Sequence, residues 1–494
     1  MVQSNAYPQD RQASGVAIET AYKNLIAGTP SGRPVKINIF GLAQESVSVV
    51  SQRYDYVGLA EAAAIVGYKS TIYQALLALN PNNGLGVGVP ISFYPLTITS
   101  GVQSAGIITP TIGATNTDTE TYYIQISNNN GRPAYLAVVK PAGMILADLC
   151  TAIAASINAK LDCPFVATAT ATVVTLECGH EGEAGNQYVV SMTVPTDPDY
   201  TFAITQPVNG AGTVDTDNAL ASIQNEWDSH VINAFSDESD SVNLNKFDVF
   251  GELRWSAEVH KPIKFYTGTN ATLTEARAIT SARKDDRTNS IKPEHGSDDT
   301  PWFIVASILR EQCRTAQKDA PTDYTKISVA GLTPVNPTGT EFEDATMKDG
   351  LCTYKINDGV YEIADSVMCY HPDGESPPGW QYDNDIEKEC YMLWNFAIIF
   401  EYGGYPLAPD SQVVTNPNAR KPSWYRARLF SFYDGAAGAV VISYPEAAKA
   451  NSIVDLSTAN NRRIDADLNY SLAGNTNIIA VSNNFNRAVM GGQS

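Results

Sequence analysis

The stretch "SHVINAFSDESDSVNLNKFDVFGELRWSAEVHKPIKFYTG" (residues 229–268) contains a strand, a helix and a second strand in succession. "SHVINAF" and "PIKFYTG" are short apolar runs with β-branched and aromatic residues, which favour strands. Between them, "SVNLNKFDVFGELRWS" has the length of a helix, with apolar residues three to four positions apart. This alternation of strand and helix predicts an α/β fold.

The same alternation continues on both sides of this unit. "VKINIF" (residues 35–40) predicts a strand, and two helical patterns follow it before residue 81. On the C-terminal side, "TPWFIVASILREQCRTA" begins with Thr300 and Pro301, which suit the N-cap and N1 positions of a helix. Residues 91–212 interrupt the pattern, because they are rich in Thr, Ile, Val and Gly and contain four candidate strands and one helix. We expect this stretch to be a β-rich inserted domain.

The section after residue 331 brings a further change. "CTYKINDGVYEIADSVMCY" predicts a hairpin with Asp358-Gly359 as its two-residue turn, and residues 384–401 predict a long helix. We therefore expect an α/β (α+β) multidomain protein with mixed-sheet core domains. Its predicted parts are an N-terminal arm and linker (1–34), a core (35–90 and 213–330), the β-rich insertion (91–212), a C-terminal domain (331–475) and a C-terminal arm (476–494).

The composition limits the classes of partner. Hydrophobic residues make up 44% of the 494 residues, enough for packed cores, whereas charged residues make up only 17%. A surface poor in charge is typical of a protein that other subunits cover, although Asn, Thr and Ser can also solvate a monomer. The formal net charge of −20 argues against nucleic acid or an anionic membrane as the main partner, since both require a basic surface.

Targeting and membrane signals are not evident in the sequence. "MVQSNAYPQDRQASG" at the N-terminus has neither a basic region nor an apolar core, so we expect no secretory signal. No apolar run approaches the roughly 18 residues that span a bilayer. The longest run, residues 391–400, predicts a buried helix, and we expect a soluble chain.

The seven cysteines include no C-x-x-C pair, so neither a zinc site nor a small disulfide scaffold is expected. Cys150 belongs to an apolar stripe at helical spacing and is expected to be buried. Cys163 directly precedes Pro164 in a predicted loop and is expected to be the exposed thiol. Bridges between neighbouring chains through Cys163 are one hypothesis, and buried thiols throughout are the alternative.

No catalytic motif is found in the sequence. There is no G-x-S-x-G elbow, H-E-x-x-H pair, Walker loop or EF-hand series. "GLGVG" (residues 84–88) lacks the third glycine and the preceding strand of a phosphate-binding loop, and the five histidines are dispersed without metal-ligand spacing. We expect no enzymatic activity, no cofactor and no metal. Neighbouring acidic residues are expected to be solvated: Asp285-Asp286, Asp298-Asp299 and Asp383 with Asp385.

One segment concentrates positive charge in this acidic chain. "ARKPSWYRARL" carries Arg420, Lys421, Arg426 and Arg428, four cations within nine residues. A helix end that balances its own dipole is one interpretation. An electrostatic contact with an acidic partner is the other.

A regular alternation lies close to the C-terminus. In "RRIDADLNYSL" (residues 462–472) one parity is apolar and the other polar, which predicts a strand with one buried face. "AGNTN" follows as a turn, and a second apolar run begins at Ile478. A strand so near a chain end raises the question of which sheet it joins.

Five segments carry a resemblance by their order along the chain: "VKINIFGLAQ" after a short arm, "ATVVTLECGHEGEAGNQYVVSM", "QPVNGAGTVDTDNALASIQNEWDSHVINAFSD", "TKISVAGLTPVNPTGTEFEDATMKDGLCTYKINDGVYEIADSVMCY" and "DSQVVTNPNARKPSWYRARL". Together they resemble the contractile tail sheath proteins of bacteriophages, of the Mu-like type. Each motif is degenerate, and the co-linear order from about residue 30 onward is what makes the resemblance. The loop "YHPDGESPPGWQYDND" is longer than the family pattern.

The resemblance implies a structural subunit that polymerises around a tail tube and contracts to drive the tube through the host envelope for genome delivery. The implied partners are further copies of the chain in stacked six-fold rings, the tail tube protein, and baseplate and tail terminator proteins. It also implies a subunit assembled in the host cytoplasm and carried in the virion, with the insertion facing outward and the C-terminal domain near the tube.

The resemblance further implies extended terminal strands that pair with a neighbour's sheet. The expected donor positions are Val16, Ile18 and Tyr22 in the N-terminal arm and Ile478, Val481 and Phe485 in the C-terminal arm. The expected receiving strand contains Ile464, Leu468, Tyr470 and Leu472. The expected tube contact consists of Arg420, Lys421, Arg426 and Arg428.

A different class of function remains open. An exposed carbohydrate- or cell-surface-binding virion protein would use the insertion as its binding module. Aromatic residues at strand ends would favour it, and Tyr122-Tyr123 and Tyr135 are the candidates.

Overall fold

The computed structural model describes residue 33 and residues 35–474 apart from 82–84, 114–115, 128–135, 197, 225, 257, 317–323, 375–378 and 401–402. Outside the described residues lie the expected donor positions Val16, Ile18, Tyr22, Ile478, Val481 and Phe485.

Within the described residues the chain forms twenty-one β-strands: β1 (Ile37–Gly41), β2 (Tyr54–Asp55), β3 (Ile91–Pro95), β4 (Thr97–Ile112), β5 (Glu120–Ile126), β6 (Leu136–Lys140), β7 (Phe165–Ala169), β8 (Val174–Glu181), β9 (Val190–Thr193), β10 (Tyr200–Val208), β11 (Ala211–Asp215), β12 (His230–Ala234), β13 (Lys264–Thr269), β14 (Asn289–Pro293), β15 (Ser328–Val329), β16 (Thr353–Asn357), β17 (Val360–Asp365), β18 (Ile442–Ser443), β19 (Ile453–Leu456), β20 (Ile464–Asp467) and β21 (Ser471–Leu472). The same residues form eleven α-helices: α1 (Leu59–Val66), α2 (Thr71–Leu79), α3 (Leu146–Ala159), α4 (Asp217–Ile223), α5 (Ser241–Trp255), α6 (Leu273–Ser281), α7 (Pro301–Ala316), α8 (Glu343–Lys348), α9 (Asp383–Ile399), α10 (Pro422–Gly438) and α11 (Pro445–Asn451).

A six-stranded sheet forms the core. Its strand order is β14-β13-β12-β1-β3-β2, with the first five strands parallel and β2 antiparallel to β3. Every residue of β1 is buried, as expected for a parallel strand covered on both faces. Phe247 of α5 stacks on Phe265 of β13 with ring centroids 4.5 Å apart. The next residue, Tyr266, points to the other face and donates to Asp383 of α9 over 3.0 Å. The predicted α/β fold is confirmed.

The β-rich insertion consists of two antiparallel sheets and α3. One sheet has the order β10-β4-β8-β7, with β11 also paired to β4, and the other has the order β6-β5-β9. The strand that opens the predicted range, β3, pairs with β1 in the core sheet. The insertion therefore begins after Pro95 rather than at residue 91, because the apolar run of β3 continues the buried core sheet.

Buried hydrogen bonds fix the insertion to the core. The side-chain oxygen of Gln74 in α2 accepts from Trp302 Nε1 of α7 over 2.9 Å and from Tyr188 Oη of the insertion over 3.0 Å. Lys69 Nζ donates to the carbonyl oxygens of Cys163 and Phe165 at 2.9 and 2.8 Å. The helix α2 and the turn before it thus hold the insertion, through the buried oxygen of Gln74 and the part-buried amine of Lys69.

The predicted hairpin is present as β16 and β17. Asp358 and Gly359 have φ values of 49° and 77°, both in the left-handed region that a type I′ turn requires. Tyr354 and Tyr361 stack across the two strands with ring centroids 4.4 Å apart. The hairpin joins β15 in a three-stranded sheet, β15-β17-β16.

The described residues of 383–474, here called the C-terminal unit, contain a hydrophobic cluster that runs from Tyr391 to Leu472. Three helices (α9, α10 and α11) and two small sheets, β18-β21 and β19-β20, surround it. Met392, Leu429, Tyr433 and Val454 are among its fully buried side chains. The predicted long helix at residues 384–401 corresponds to α9.

Candidate functional site

The alternating segment near the C-terminus buries its apolar parity in the C-terminal unit. The side chains that share this parity are partly buried against the hydrophobic cluster: Ile464, Ala466, Leu468, Tyr470 and Leu472. Tyr470 Oη also donates to both oxygens of the Glu389 carboxylate, at 2.8 and 2.7 Å. The predicted face of the strand is therefore correct, and its side chains already pack within their own subunit.

The predicted single strand is in fact two strands. β20 ends at Asp467 and β21 begins at Ser471, because Asn469 leaves the ladder. Its backbone N–H donates to Ser452 Oγ over 3.0 Å, and its amide donates to the carbonyl oxygen of Asn451 over 3.1 Å. These bonds redirect the chain from β19 to β18, and the expectation of one continuous strand is wrong.

Both small sheets have unpaired edges among the described residues. β18-β21 and β19-β20 contain two strands each. Two-stranded sheets are marginal in isolation, and an edge strand presents free N–H and C=O groups that can accept a further strand. Val440 and Tyr444 flank β18 and have φ values of 58° and 55°, which are strained for residues other than glycine. Both side chains are exposed.

The basic segment lies at the beginning of α10. Lys421 is the N-cap residue, and Arg426 and Arg428 follow in the first two turns. The N-terminus of a helix carries the positive end of the macrodipole, so cations there are unfavourable. The interpretation that these residues balance the dipole of their own helix is therefore wrong.

Two of the four cations stack on one indole ring. The guanidinium groups of Arg420 and Arg428 lie 4.5 and 4.7 Å from the ring of Trp424, and Arg420 is also 4.2 Å from the ring of Tyr405. The Nε atoms of both arginines are buried and have no hydrogen-bond partner among the described residues. We call Tyr405, Arg420, Trp424 and Arg428 the arginine ladder.

The other two cations are partly neutralised within the subunit. Lys421 Nζ donates to the carbonyl oxygen of Gln412 over 2.5 Å. Arg426 contacts Asp410 over 3.4 Å and donates to the carbonyl oxygen of Val454 over 3.0 Å. The structure thus brings the four predicted residues together, with Arg420 and Arg428 the less neutralised pair.

A buried charge cluster, which the sequence did not indicate, joins α9 to the core sheet. Asp383 accepts from Lys264 Nζ at 2.6 Å, Ser366 Oγ at 3.0 Å and Lys292 Nζ at 3.2 Å. One turn further along α9, Glu387 pairs with Lys264, with Arg33 and, over 3.0 Å, with His230 Nε2. Arg33 lies shortly before β1 in the chain, so its ion pair with Glu387 also belongs to this contact between α9 and the core.

The electrostatics of this cluster follow from burial. Burial alone would raise the pKa of Asp383, but the ammonium groups of Lys264 and Lys292 outweigh it and hold that pKa far below its usual range. Burial, together with Lys264, lowers the pKa of His230 well below 6.5. The expectation of solvated acidic pairs is wrong for Asp383, and likewise for Asp286 and Asp299, which are also buried.

The prediction that Cys163 is an exposed thiol is wrong. All seven thiols are buried, and Cys163 is only 4% exposed. The loop before Pro164 packs against the core because Lys69 binds the carbonyl oxygens on both sides of this proline. Burial also raises the pKa of the Cys163 thiol. Cys163 is therefore not the exposed thiol that the sequence predicted.

The insertion offers little support for a carbohydrate site. Tyr122 is fully buried, Tyr135 lies outside the described residues, and Tyr123 alone of the three is exposed. Among the described residues no group of histidine, cysteine and acidic side chains is arranged to hold a metal ion. No helix in the described part of the chain is long and apolar enough to cross a membrane.

In the described part of the chain, these features define a multidomain α/β protein whose C-terminal unit has a cationic surface and strand edges without a described partner strand. No family model matches the chain. A curated relative, the Mu-like prophage FluMu tail sheath protein of Haemophilus influenzae, is 31% identical over 313 residues. The match covers 60% of this chain, and the chain spans 60% of the length of the relative. The resemblance to Mu-like tail sheath proteins is confirmed by this match.

Three solved structures are similar to the chain. The sheath tail protein from Desulfitobacterium hafniense has a TM-score of 0.49 and 12% identity, covering 93% of this chain and 97% of that chain. The sheath tail protein from Listeria innocua has a TM-score of 0.49 and 12% identity, covering 90% and 93%. The baseplate of the anti-feeding prophage in its contracted state has a TM-score of 0.44 and 11% identity, covering 96% and 99%.

Proposed function

We propose that this chain is a structural subunit of a contractile phage tail sheath. Copies of the chain polymerise around the tail tube as stacked six-fold rings, and contraction drives the tube through the host envelope for genome delivery. The single observation that carries the proposal is the match to a tail sheath protein of the Mu-like type. The open edges of β18-β21 and β19-β20 support it, because they offer backbone groups for joining copies.

Subunits join by strand addition in this proposal. Residues 477–490 and 16–22 of one copy add to the sheets of its neighbours, and the C-terminal unit receives them. The apolar parity of Ile464 to Leu472 already faces inward, so the receiving groups are backbone N–H and C=O at the sheet edge. In this proposal the added strands stay paired while the bodies rotate during contraction.

Contraction needs no nucleotide in this scheme. The free energy comes from interfaces gained between subunits, and the chain assembles in the host cytoplasm before it becomes part of the virion. Baseplate and tail terminator proteins cap the two ends of the polymer. The insertion faces outward, and the C-terminal unit lies towards the tube.

Electron microscopy of the purified chain tests this assembly. A matched variant ends at Gly474, which retains the hydrogen bonds from Ala473 N–H to Val441 O at 2.9 Å and from Lys388 Nζ to Ala473 O at 2.6 Å. We expect tubes or rings from the full chain and single particles from the variant. Single particles from both would contradict the proposal and favour the surface-binding alternative.

The arginine ladder is the proposed contact with an acidic surface of the tube. Arg420 and Arg428 are held in position by Trp424, so binding immobilises few further side-chain torsions. Arg420→Glu with Arg428→Glu should abolish co-sedimentation with purified tubes. The control reverses two exposed charges elsewhere, Lys348→Glu with Lys355→Glu, and should bind normally. Equal binding by both variants would eliminate this contact.

A further inference from the structure

A buried amine meets two carboxyl groups where the two sheets of the insertion come together. Lys140 ends β6, Glu120 begins β5 directly opposite it in register, and Asp199 immediately precedes β10. The side chains of Lys140 and Asp199 are 0% and 1% exposed, and that of Glu120 is 8% exposed. The three side chains therefore come from β5, β6 and the residue before β10, and they meet away from solvent.

The hydrogen bonds of Lys140 place its amine against the carboxyl group of Asp199. Lys140 Nζ donates to Asp199 Oδ2 and, over 2.8 Å, to the backbone oxygen of Asp118. The backbone N–H of Asp118 donates to the same Asp199 oxygen over 3.0 Å. Glu120 accepts from the backbone N–H of Asp199 at 3.0 and 3.1 Å, and its Oε2 lies 4.0 Å from Lys140 Nζ. Tyr122 Oη also donates to Glu120.

Aromatic side chains surround this group. The ring of Tyr200 lies 5.8 Å from Lys140 Nζ, and Tyr122 packs edge-to-face on Phe202 at 4.9 Å. An ion pair in such surroundings bears a desolvation penalty that its attraction offsets only in part. A neutral amide in the same place would bear a smaller penalty. The surroundings thus favour an uncharged product over the charged pair.

We propose that Lys140 and Asp199 join through an amide bond between Nζ and Cγ, formed by the folded chain itself. Lys140 ammonium gives a proton to the Glu120 carboxylate, and the free amine attacks Asp199 Cγ. The Asp118 N–H stabilises the negative oxygen of the tetrahedral intermediate. Glu120 returns this proton to the departing oxygen as general acid, then carries the second proton from the attacking nitrogen to the same oxygen, which leaves as water. An ammonium and a carboxylate become one amide and one water, so no oxidant, metal or cofactor is required.

Contact between the amine and the carboxyl group lowers the free-energy barrier to this step. In solution the condensation of an amine with a carboxylate is slow, but groups held in contact react as if at very high concentration. Glu120, the most exposed of the three, is on the side where water can leave. The chain carries this cluster whether or not it assembles, so the inference is independent of the proposed function.

The amide bond would cross-link the two sheets of the insertion covalently. β6 belongs to the three-stranded sheet and β10 to the sheet built on β4. A covalent joint between them closes residues 140–199 into a loop, which restricts the unfolded chain. The insertion would then resist separation of its two sheets.

Mass spectrometry of the denatured, purified chain tests the inference. We expect the intact mass to fall short of the sequence mass by one water. Asp358-Gly359 could lose water by cyclising, so a peptide map must locate the change. A glutamate-specific protease separates Lys140 from Asp199 by cleaving at Glu177, Glu181 and Glu183. We expect one branched peptide that contains both residues, and two linear peptides would overturn the proposal.

Three variants test the chemistry. Asp199→Asn should form the same bond with loss of ammonia instead of water. Lys140→Arg should have its full sequence mass and a lower melting temperature than the wild type. Glu120→Gln should also have its full mass while remaining folded by circular dichroism. A branched peptide that forms as completely in Glu120→Gln as in the wild type would overturn the role of Glu120.

Discussion

Lys264 of β13 donates to the carboxylate of Asp383, the first residue of α9, over 2.6 Å, although the two residues are 119 positions apart. Both side chains are buried. Lys292 of β14 reaches the second oxygen of the same carboxylate over 3.2 Å. The core sheet and the C-terminal unit are thus joined by a charged contact, so the unit with the open sheet edges keeps a defined position on the core.

Replacing Asp383 by asparagine should destabilise this joint. Lys264 and Lys292 would remain buried without their shared counter-charge, which costs about 3–5 kcal/mol. Because the pKa of Asp383 is lowered in the folded chain, its stabilisation is present above its unfolded pKa of 3.8 and is lost as pH falls towards the folded value. Urea unfolding at neutral pH, followed by tryptophan fluorescence, measures the loss. Asp344→Asn is the control, since Asp344 is exposed and its partner Lys348 is exposed as well; equal midpoints for the two variants would contradict the prediction.

Glu238 should make the core less stable as the pH rises. Burial, with the nearby charge of Asp237, raises its pKa from 4.5 to about 7, and Thr269 and Glu275 also face it. A raised folded pKa contributes stability that is complete below pH 4.5 and is lost as pH rises through about 7. Glu238→Gln should remove this dependence, a difference of at most about 3 kcal/mol across the range.

The measurement is the unfolding free energy of wild type and Glu238→Gln at pH values from about 5 to 8. Glu446→Gln, at an exposed carboxyl group, is the control and should follow the wild type. Parallel curves for wild type and Glu238→Gln would mean that Glu238 titrates normally.

Trp424 should support tube binding without carrying charge. Its ring positions Arg420 and Arg428 through two cation–π contacts. Each contact is worth about 0.5–1 kcal/mol at an exposed site, so Trp424→Ala should weaken binding to tubes roughly tenfold. Trp424→Phe keeps an aromatic face and should bind with an intermediate affinity. Unchanged co-sedimentation of the alanine variant would show that the ladder does not contact the tube.

Gly359 should be sensitive to the addition of one methyl group. Its φ of 77° is strained for an L-residue, although nothing lies within 4 Å of the added Cβ. Gly359→Ala should therefore cost about 1 kcal/mol through the backbone alone. Gly438→Ala is the matched control, because Gly438 ends α10 with equal open space and no positive φ. It should be neutral or slightly stabilising, and thermal melting of the two variants distinguishes the effects.

The sequence by itself determined the features that depend on near neighbours along the chain. The alternation of strand and helix around residues 229–268 predicted the α/β core, and Asp358-Gly359 predicted the hairpin, because a type I′ turn needs those residue types. The inward parity of residues 464–472 was also correct, since the period of two is a local property of a strand. The cationic segment at residues 420–428 was visible from composition alone.

Only the tertiary structure decided which polar side chains are buried away from solvent. Asp383 and Cys163 look like surface residues in the sequence, yet partners far away in the chain, Lys264 and Lys69, hold them in the interior. Asn469 divides the predicted C-terminal strand because it bonds to Asn451 and Ser452. Such contacts join residues that are far apart in the sequence, so their spacing does not predict them. Burial then changes the pKa and the solvent accessibility of a side chain, although the residue type is the same.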